Sequence, residues 1–439
     1  MSNYIVTSIQ YNALVNRPFL KNMLAFADKH KVEKIFIYIA PGTNVYQDDI
    51  SPLLFEDDRI ELLHLGKEGK KLNSNLKLHE TGILFSQINP LTGFQTKLSN
   101  KHSFILPSAK IRFLSLPNTS THPRFLATTG ALSHGNYKMH TAQGRKADLE
   151  HQYGFAYVKV VSNRVFRYHP VEALKNGNFN YMRESYKNGK VTDEQPACLS
   201  IGDWHTGDTC MKTRKRTIAM LEQLKPKYAV FHDFFNGKSI NRHERHNNMS
   251  RAELWQSQTH VLEEEVDACL KEMNYFAKRF PNIQFLVAES NHDIFLAHYI
   301  GGENFLEDGC NSVFSCKLFV AQMATDQPIL QTAMEIVGDV AKNVRFLKED
   351  EEVRIGGTLV SAHGNRGVNG ARGSGQSFSN YNLRQITGHE HTPKMYAHGM
   401  VIGTSTKLKL SYTKGPSSWM AAHGLLYTSG KYSLLTIIH

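Results

Sequence analysis

Cysteine is scarce and patternless in this chain of 439 residues. Its five cysteines (Cys198, Cys210, Cys269, Cys310 and Cys316) are odd in number, widely spaced and without a CxxC. That excludes a zinc ribbon and a disulfide framework, and it fits a reducing cytoplasm. No apolar run approaches the length of a bilayer span, so no membrane association is expected. The opening MSNYIVTSIQYNALVNR has no basic segment leading into a long apolar one, so no secretory leader is expected either. Internal repeats are missing. The three tryptophans form no evident base-stacking set. With 41% hydrophobic and 21% charged residues the chain is not disordered by composition, and its length allows two or three domains.

Acidic residues are missing from one region in particular. Residues 1–190 hold 25 Lys and Arg against 14 Asp and Glu, whereas residues 191–439 hold 26 of each. Within the first part, residues 101–190 carry 14 basic groups against 4 acidic ones. A block this lopsided suits a polyanion, because each cation that neutralises a phosphate releases a condensed counterion.

The first forty residues read as strand, helix, strand: Tyr4–Gln10 alternates, Arg17–His30 has helical period and Ile35–Ala40 is continuously apolar. Strands are expected at Arg59–Leu65, Lys110–Leu116, Arg124–Thr129 and Phe155–Tyr168. A polar, turn-rich stretch (YKNGKVTDEQ, 186–195) then separates an N-terminal α/β domain, 1–190, from a second domain, 197–439. In the second, buried strands each run into polar residues: Ala197–Ile201 into GDWHTG, Tyr228–Phe231 into HDFFNG, Ile283–Ala288 into ESNHD and Thr358–Ala362 into HGNRG. A long helix is expected over Arg251–Phe280, opened by a capping box of Ser250 and Glu253. Short alternating strands return after residue 395.

The chemistry-bearing residues stand where an open α/β sheet presents its ligands, at the C-terminal ends of strands. They are Asp203 and His205, then Asp233, then Asn291, His292 and Asp293, then His363, then His389 and His391. A lone DxH or HxH is more often an incidental surface pair. Together they supply carboxylates, an amide oxygen and imidazoles without a thiolate, a set that suits two borderline or hard divalent ions. The HxH is read as extended chain that hands one ring to each ion. A bridging carboxylate would complete a two-metal arrangement for displacement at phosphorus.

The order and wording of these motifs resemble the calcineurin-like metallophosphoesterases, whose motifs run GDxH, GDxx[DN], GNH[DE], a lone His before Gly, and GHxH. Here they stand as GDWH (202–205), HDFFN (232–236), SNHD (290–293), HG (363–364) and GHEH (388–391). The resemblance implies a sandwich of two mixed β-sheets flanked by helices, and a hydrolase that attacks phosphoesters with a water activated by the ions. It assigns Asp203, His205 and His391 to one metal, Asn291, His363 and His389 to a second, and Asp233 to both. His292 would face the substrate and Asp293 would orient it. The ions would be divalent, manganese for preference, with iron, nickel, zinc or magnesium admissible. His232 and Ser290 depart from the family's glycines without removing a ligand.

Around this core, the loop after the second motif offers Lys238, Arg242, His243 and Arg245, and the glycine-rich segment 363–379 offers Arg366 and Arg372. That segment holds no GK[ST], so it reads as a flap over the metals with arginines for phosphate oxygens. A weaker similarity, in ATTGALSHGNY (127–137), Lys146, Ala147, His151, Gly154 and Phe155, points to metallophosphoesterases encoded by tailed phages, such as pre-early nucleases that degrade host DNA. The expectation is a DNA nuclease of the host cytoplasm whose basic N-terminal domain grips the duplex. The alternatives are a phosphatase or phosphodiesterase of small phosphoesters, or a non-catalytic scaffold for nucleic acid or a host protein. A homo-oligomer formed through exposed C-terminal hairpin edges is also compatible.

Overall fold

The computed structural model describes residues 2–40, 51–64, 69–79, 83–98, 101–119, 122–241, 247–380, 383–410 and 413–438. The chain is α/β, with mixed sheets flanked by helices. It forms two compact units. One comprises Met1–Pro196, Thr392–Met400 and Leu408–His439; the other comprises Ala197–His391 and Val401–Lys407. The chain's last residues therefore group with the first unit, whereas the sequence places everything after 197 in the second.

The first unit is built on the opening βαβ. Ser2–Gln10 pairs in parallel with Lys34–Ala40, which pairs in parallel with Ile60–His64. The helix between the first two strands, Arg17–Lys29, starts where the Asn16 side chain accepts from the Phe19 N–H and Pro18 sits in the first turn. Its buried face (Phe19, Leu20, Met23, Phe26, Ala27) meets Phe155 and Tyr157, with the Phe26 ring 5.1 Å from each. The expected strand Phe155–Tyr168 is in fact a hairpin. Gly154–Val160 and Phe166–Glu172 pair antiparallel around a turn at Ser162–Arg164, and the first lies against Ser2–Gln10. A second mixed sheet runs, in spatial order, Lys71–Asn73, Leu76–Leu78, Ser103–Leu106, Arg124–Thr128, Phe113–Leu116 and Lys394–Met395. The C-terminal hairpin, Ala422–Leu426 with Tyr432–Thr436, is tied to the first sheet by Ser433 Oγ donating to the Pro170 carbonyl at 2.7 Å. Over 402–410 there is no strand, and Tyr412 lies outside the described residues.

In the second unit four parallel strands stand in the order Val344–Leu347, Gln284–Ala288, Tyr228–Phe231, Cys198–Ile201. The inner three are largely apolar and buried, as strands covered on both faces must be, while the edge strand Val344–Leu347 exposes Arg345. The helix Leu262–Arg279 covers them with Phe276, whose ring lies 5.2 Å from Phe231 and 5.3 Å from Trp204. Trp204 is fully buried in this core. The long helix read from the sequence is two. Asn248–Gln256 is capped by Asn247, not Ser250, and ends before Leu262–Arg279 begins, with Gln258 in the left-handed region between them. Three short strands, Arg354–Ile355, Thr358–Leu359 and Gln385–Thr387, pair in that order and carry the last motifs. Among the described residues no helix is long and apolar enough to cross a membrane.

Candidate metal centre

The polar loops that follow Cys198–Ile201 and Tyr228–Phe231 are stitched together by backbone bonds. Trp204, His205 and Thr206 donate their N–H groups to the carbonyls of His232, Asp233 and Phe234 at 2.9, 2.7 and 3.1 Å. Asp203 donates to the Gly403 carbonyl at 3.1 Å, and Ser405 donates back to the Asp203 carbonyl at 2.8 Å. Gly388 donates to His363 at 2.9 Å, which joins the last two motifs. Side chains on loops pinned at this many points are held in place without help from a ligand.

Asp203, His205, Asp233 and His391, all buried, each turn one ligand-type atom to a common point, with those atoms within 4.8 Å of one another. His391 Nε2 lies 3.0 Å from Asp203 Oδ2 and 3.1 Å from His205 Nε2, and His205 Nε2 lies 3.5 Å from Asp233 Oδ2. On the other side of Asp233, His363 Nε2 approaches the same Oδ2 at 3.2 Å and Asn291 Oδ1 at 3.1 Å. His389 Nδ1 reaches that amide oxygen at 2.9 Å. All seven residues singled out as ligands therefore form one contiguous set, with Asp233 between its halves.

The extended HxH does not survive. His389 and His391 both have positive φ, 72° and 54°, as do His205 at 45° and Asp233 at 44°. Non-glycine residues occupy this region at a cost, and it clusters at functional sites.

Electrostatically the set calls for a cation. Burial would raise the Asp203 carboxyl, but its contact with His391 holds it below the usual range. Burial would likewise raise Asp233, yet the His363 imidazole beside it holds it well below the usual range. Burial disfavours the His363 imidazolium, and the Asp233 carboxylate overcomes this and lifts it to about 9. Burial pushes His205 down to about 3 and His232 to about 4, so these rings are neutral and their lone pairs available. Asp203 Oδ1 and Asp233 Oδ1 are buried without a hydrogen-bond donor. Buried carboxylate oxygens with nothing to satisfy them are costly. Oxygen and imidazole donors without thiolate fit a divalent ion of the manganese-to-zinc range.

His292 lies beside this set, its ring centroid 4.6 Å from that of His205. Its orienting partner is not Asp293. His292 Nδ1 donates to the Asn236 backbone carbonyl at 2.5 Å, and the Asn236 amide donates to Asp208 Oδ2 at 2.9 Å. Asp293 turns back to the chain just before its own helix, accepting from the Ser290 N–H at 2.8 Å, and burial pushes its carboxyl up to about 8. A neutral, inward-facing acid has no hold on the His292 ring. Asn236 was legible only as the last letter of its motif; what matters is its main chain, for which no residue type is a signal. Ser290, in the place of a glycine, accepts in return from the Asp293 N–H through its Oγ at 3.4 Å. His232 is fully buried with its ring 5.8 Å from that of His363, and neither nitrogen has a hydrogen-bond partner.

The candidate substrate contacts divide. Lys238 is held by its backbone N–H on Glu265 at 2.9 Å and leaves its half-exposed ammonium 3.9 Å from Asp208. Arg242, His243 and Arg245 lie outside the described residues. Arg366 is committed to Glu349 at 2.7 Å, and Arg372 is exposed, bridged to Arg366 through the backbone. The glycine-rich segment closes on itself, with Gly367 donating to Ala371 at 2.6 Å and Gly373 to Asn365 at 2.9 Å. It is a folded turn.

No protein-family model matches the chain, and no solved structure matches it. Among curated proteins it is similar to Protein A1 of Escherichia phage T5, 24% identical over 466 residues, covering 98% of this chain and 81% of that protein. The likeness runs the length of the chain and relates it to a phage protein.

Proposed function

We propose that this chain is a two-metal phosphodiesterase of the calcineurin-like kind, acting on DNA in the cytoplasm of a phage host. The observation that carries the reading is the pairing of two donor sets through one buried carboxylate, Asp233. Asp203, His205 and His391 would hold one ion, and Asn291, His363 and His389 the other, with Asp233 shared. When bound, such ions neutralise a phosphate and bring the pKa of water near neutrality. His292 has Nδ1 fixed as a donor on Asn236, which leaves Nε2 as the nitrogen free to pass a proton to a departing oxygen. Asn236 positions that ring.

The DNA part rests on charge. Of the basic surplus, Lys110 and Arg112 are buried around Glu150 and cannot touch a polyanion. Lys138, Arg145 and Lys146 are exposed at and before the helix Ala142–Leu149, and Lys175, Lys187 and Lys190 are exposed further on. Cations so placed suit backbone phosphates rather than one small ester.

The test is linear duplex DNA with Mn²⁺, an EDTA control and His292→Ala. Metal-dependent cleavage is expected in the natural chain, reduced roughly 10²- to 10⁴-fold by the substitution with metal affinity unchanged. Intact DNA beside a hydrolysed mononucleotide would replace this reading with a small-phosphoester hydrolase. Neither activity would leave a binding scaffold.

A further inference from the structure

The second unit carries a cleft of about 400 Å³ that the metal centre does not use. Its walls include Lys238, Arg251, Trp255, His260 and Tyr299. Trp255 is 55% exposed. One face of its indole lies on the His260 imidazole, with centroids 3.8 Å apart and planes 21° from parallel. An indole covered on one side and more than half exposed presents its other face to solvent. Its helix, Asn248–Gln256, buries none of its residues, so Trp255 is not there to hold the core together.

The stack is built by the break that divides the helix. In a continuous helix, residues five apart point about 140° away from each other around the axis and cannot stack. Here Gln258 at φ 55° turns the chain so that His260 returns beneath Trp255. Asn311, which is buried, locks that turn. Its Nδ2 donates to the His260 carbonyl at 3.0 Å while its Oδ1 accepts from the Leu262 N–H at 2.7 Å. The platform is fixed in advance of any ligand.

Cleft and metal centre share their supports. Two and three residues beyond the Asn236 carbonyl that holds His292, Lys238 and Ser239 line the cleft, their N–H groups anchored on Glu265 at 2.9 and 3.0 Å. Tyr299 lies seven residues along the helix from His292, a rise of about 10 Å. It is steadied by donating to Asp308 Oδ2 at 2.6 Å. A nucleoside next to a phosphodiester at His292 falls at this range, and Lys238 and Arg251 offer cations to its backbone.

We propose that this cleft takes an unstacked nucleobase of the strand flanking the scissile phosphate, laid on the open face of Trp255; the inference rests on the nuclease reading above. A base inside a duplex has no free face, so the ligand is single-stranded or frayed DNA.

The full chain in EDTA is titrated with a dye-labelled single-stranded oligothymidylate, followed by anisotropy and by tryptophan emission. Emission should be quenched on binding. Trp255→Ala should weaken binding roughly 5- to 150-fold, and Trp255→Phe should restore most of it, while a blunt duplex binds all three alike. Unquenched emission at saturation, or an alanine variant that binds the single strand like the natural chain, overturns the proposal. Cleavage in Mn²⁺, run in parallel, separates the two readings. Binding through Trp255 without cleavage sinks the nuclease reading and keeps the base site. Cleavage with an indifferent Trp255→Ala does the reverse.

Discussion

A methyl group at residue 388 should disable the metal centre without unfolding the protein. A Cβ built on Gly388 would stand 2.1 Å from Asp203 Oδ1 and 3.0 Å from the His232 Cβ. Ordinary contact between such atoms is roughly 3.5 Å, so the carboxylate must retreat by more than 1 Å. It has nowhere to go. Its other oxygen is held by the His389 N–H at 2.8 Å and His391 Nε2 at 3.0 Å, and the residue is fully buried. Gly388→Ala should therefore cost about 1–3 kcal/mol in overpacking. It should also lower metal affinity by about 10- to 100-fold, as other displacements of a ligand's supports do. The second loss is readable by linkage. At a Mn²⁺ concentration 100 times the dissociation constant the natural chain gains about 2.7 kcal/mol, whereas a thirtyfold weaker variant gains about 0.9 kcal/mol. Urea unfolding of both chains, with and without Mn²⁺, measures both numbers. Equal metal-induced stabilisation in the two would refute the placement of Asp203 at the ion.

Three other outcomes follow from charges and caps elsewhere. Burial alone would raise Glu184, but hydrogen bonds from His30, Tyr186 and Lys29 bring it from the ordinary 4.5 down to about 2. Its contribution is thus complete above about 4.5 and lost as pH falls toward 2, so the stability gap between the natural chain and Glu184→Gln should close across that window in acid unfolding. Lys110 is fully buried on Glu150 at 2.8 Å, and the buried Arg112 lies 3.6 Å from the same carboxylate; Lys110→Met should cost about 1–3 kcal/mol, and adding Glu150→Leu should deepen the loss in the same denaturant assay, because Arg112 then has no carboxylate. Asn311→Ala removes the bonds to Leu262 and His260 and should destabilise the second unit by about 1–3 kcal/mol; a smaller change would mean that the helix break holds itself.

What the sequence made legible is what local pattern encodes. Buried apolar runs such as Tyr228–Phe231 and Gln284–Ala288 announce parallel strands, and the polar residues after each announce the sheet's C-terminal edge. That pattern puts the candidate donors, from Asp203 to His391, at the strand ends. What stayed hidden depends on contacts distant in the chain. The break before Leu262 is invisible to helical period, because it is held by Asn311, 49 residues further on. The Trp255 platform is a product of that break, so counting tryptophans could not reveal it. The hairpin within Phe155–Tyr168 is hidden because its turn at Ser162–Arg164 lacks glycine and proline. The partner of His292 was missed because it is a main-chain carbonyl.

The backbone of the last motif shows why its spacing works. In an extended chain His389 and His391 would point to the same side, with Glu390 opposite, and successive side chains at that spacing run parallel and well apart. The acceptors they must reach are different in direction: Asn291 Oδ1 for His389, Asp203 Oδ2 for His391. Two left-handed residues fold the segment tightly, so that one peptide serves Asp203 through the His389 N–H while the rings diverge to the two halves of the set. Each such residue costs about 1–3 kcal/mol, and His205 and Asp233 add two more. The bonds from the His205 N–H to the Asp233 carbonyl and from the His389 N–H to Asp203 Oδ2 join the strained segments to one another. Relaxing one therefore breaks the support of the next, and the left-handed turns persist as a group.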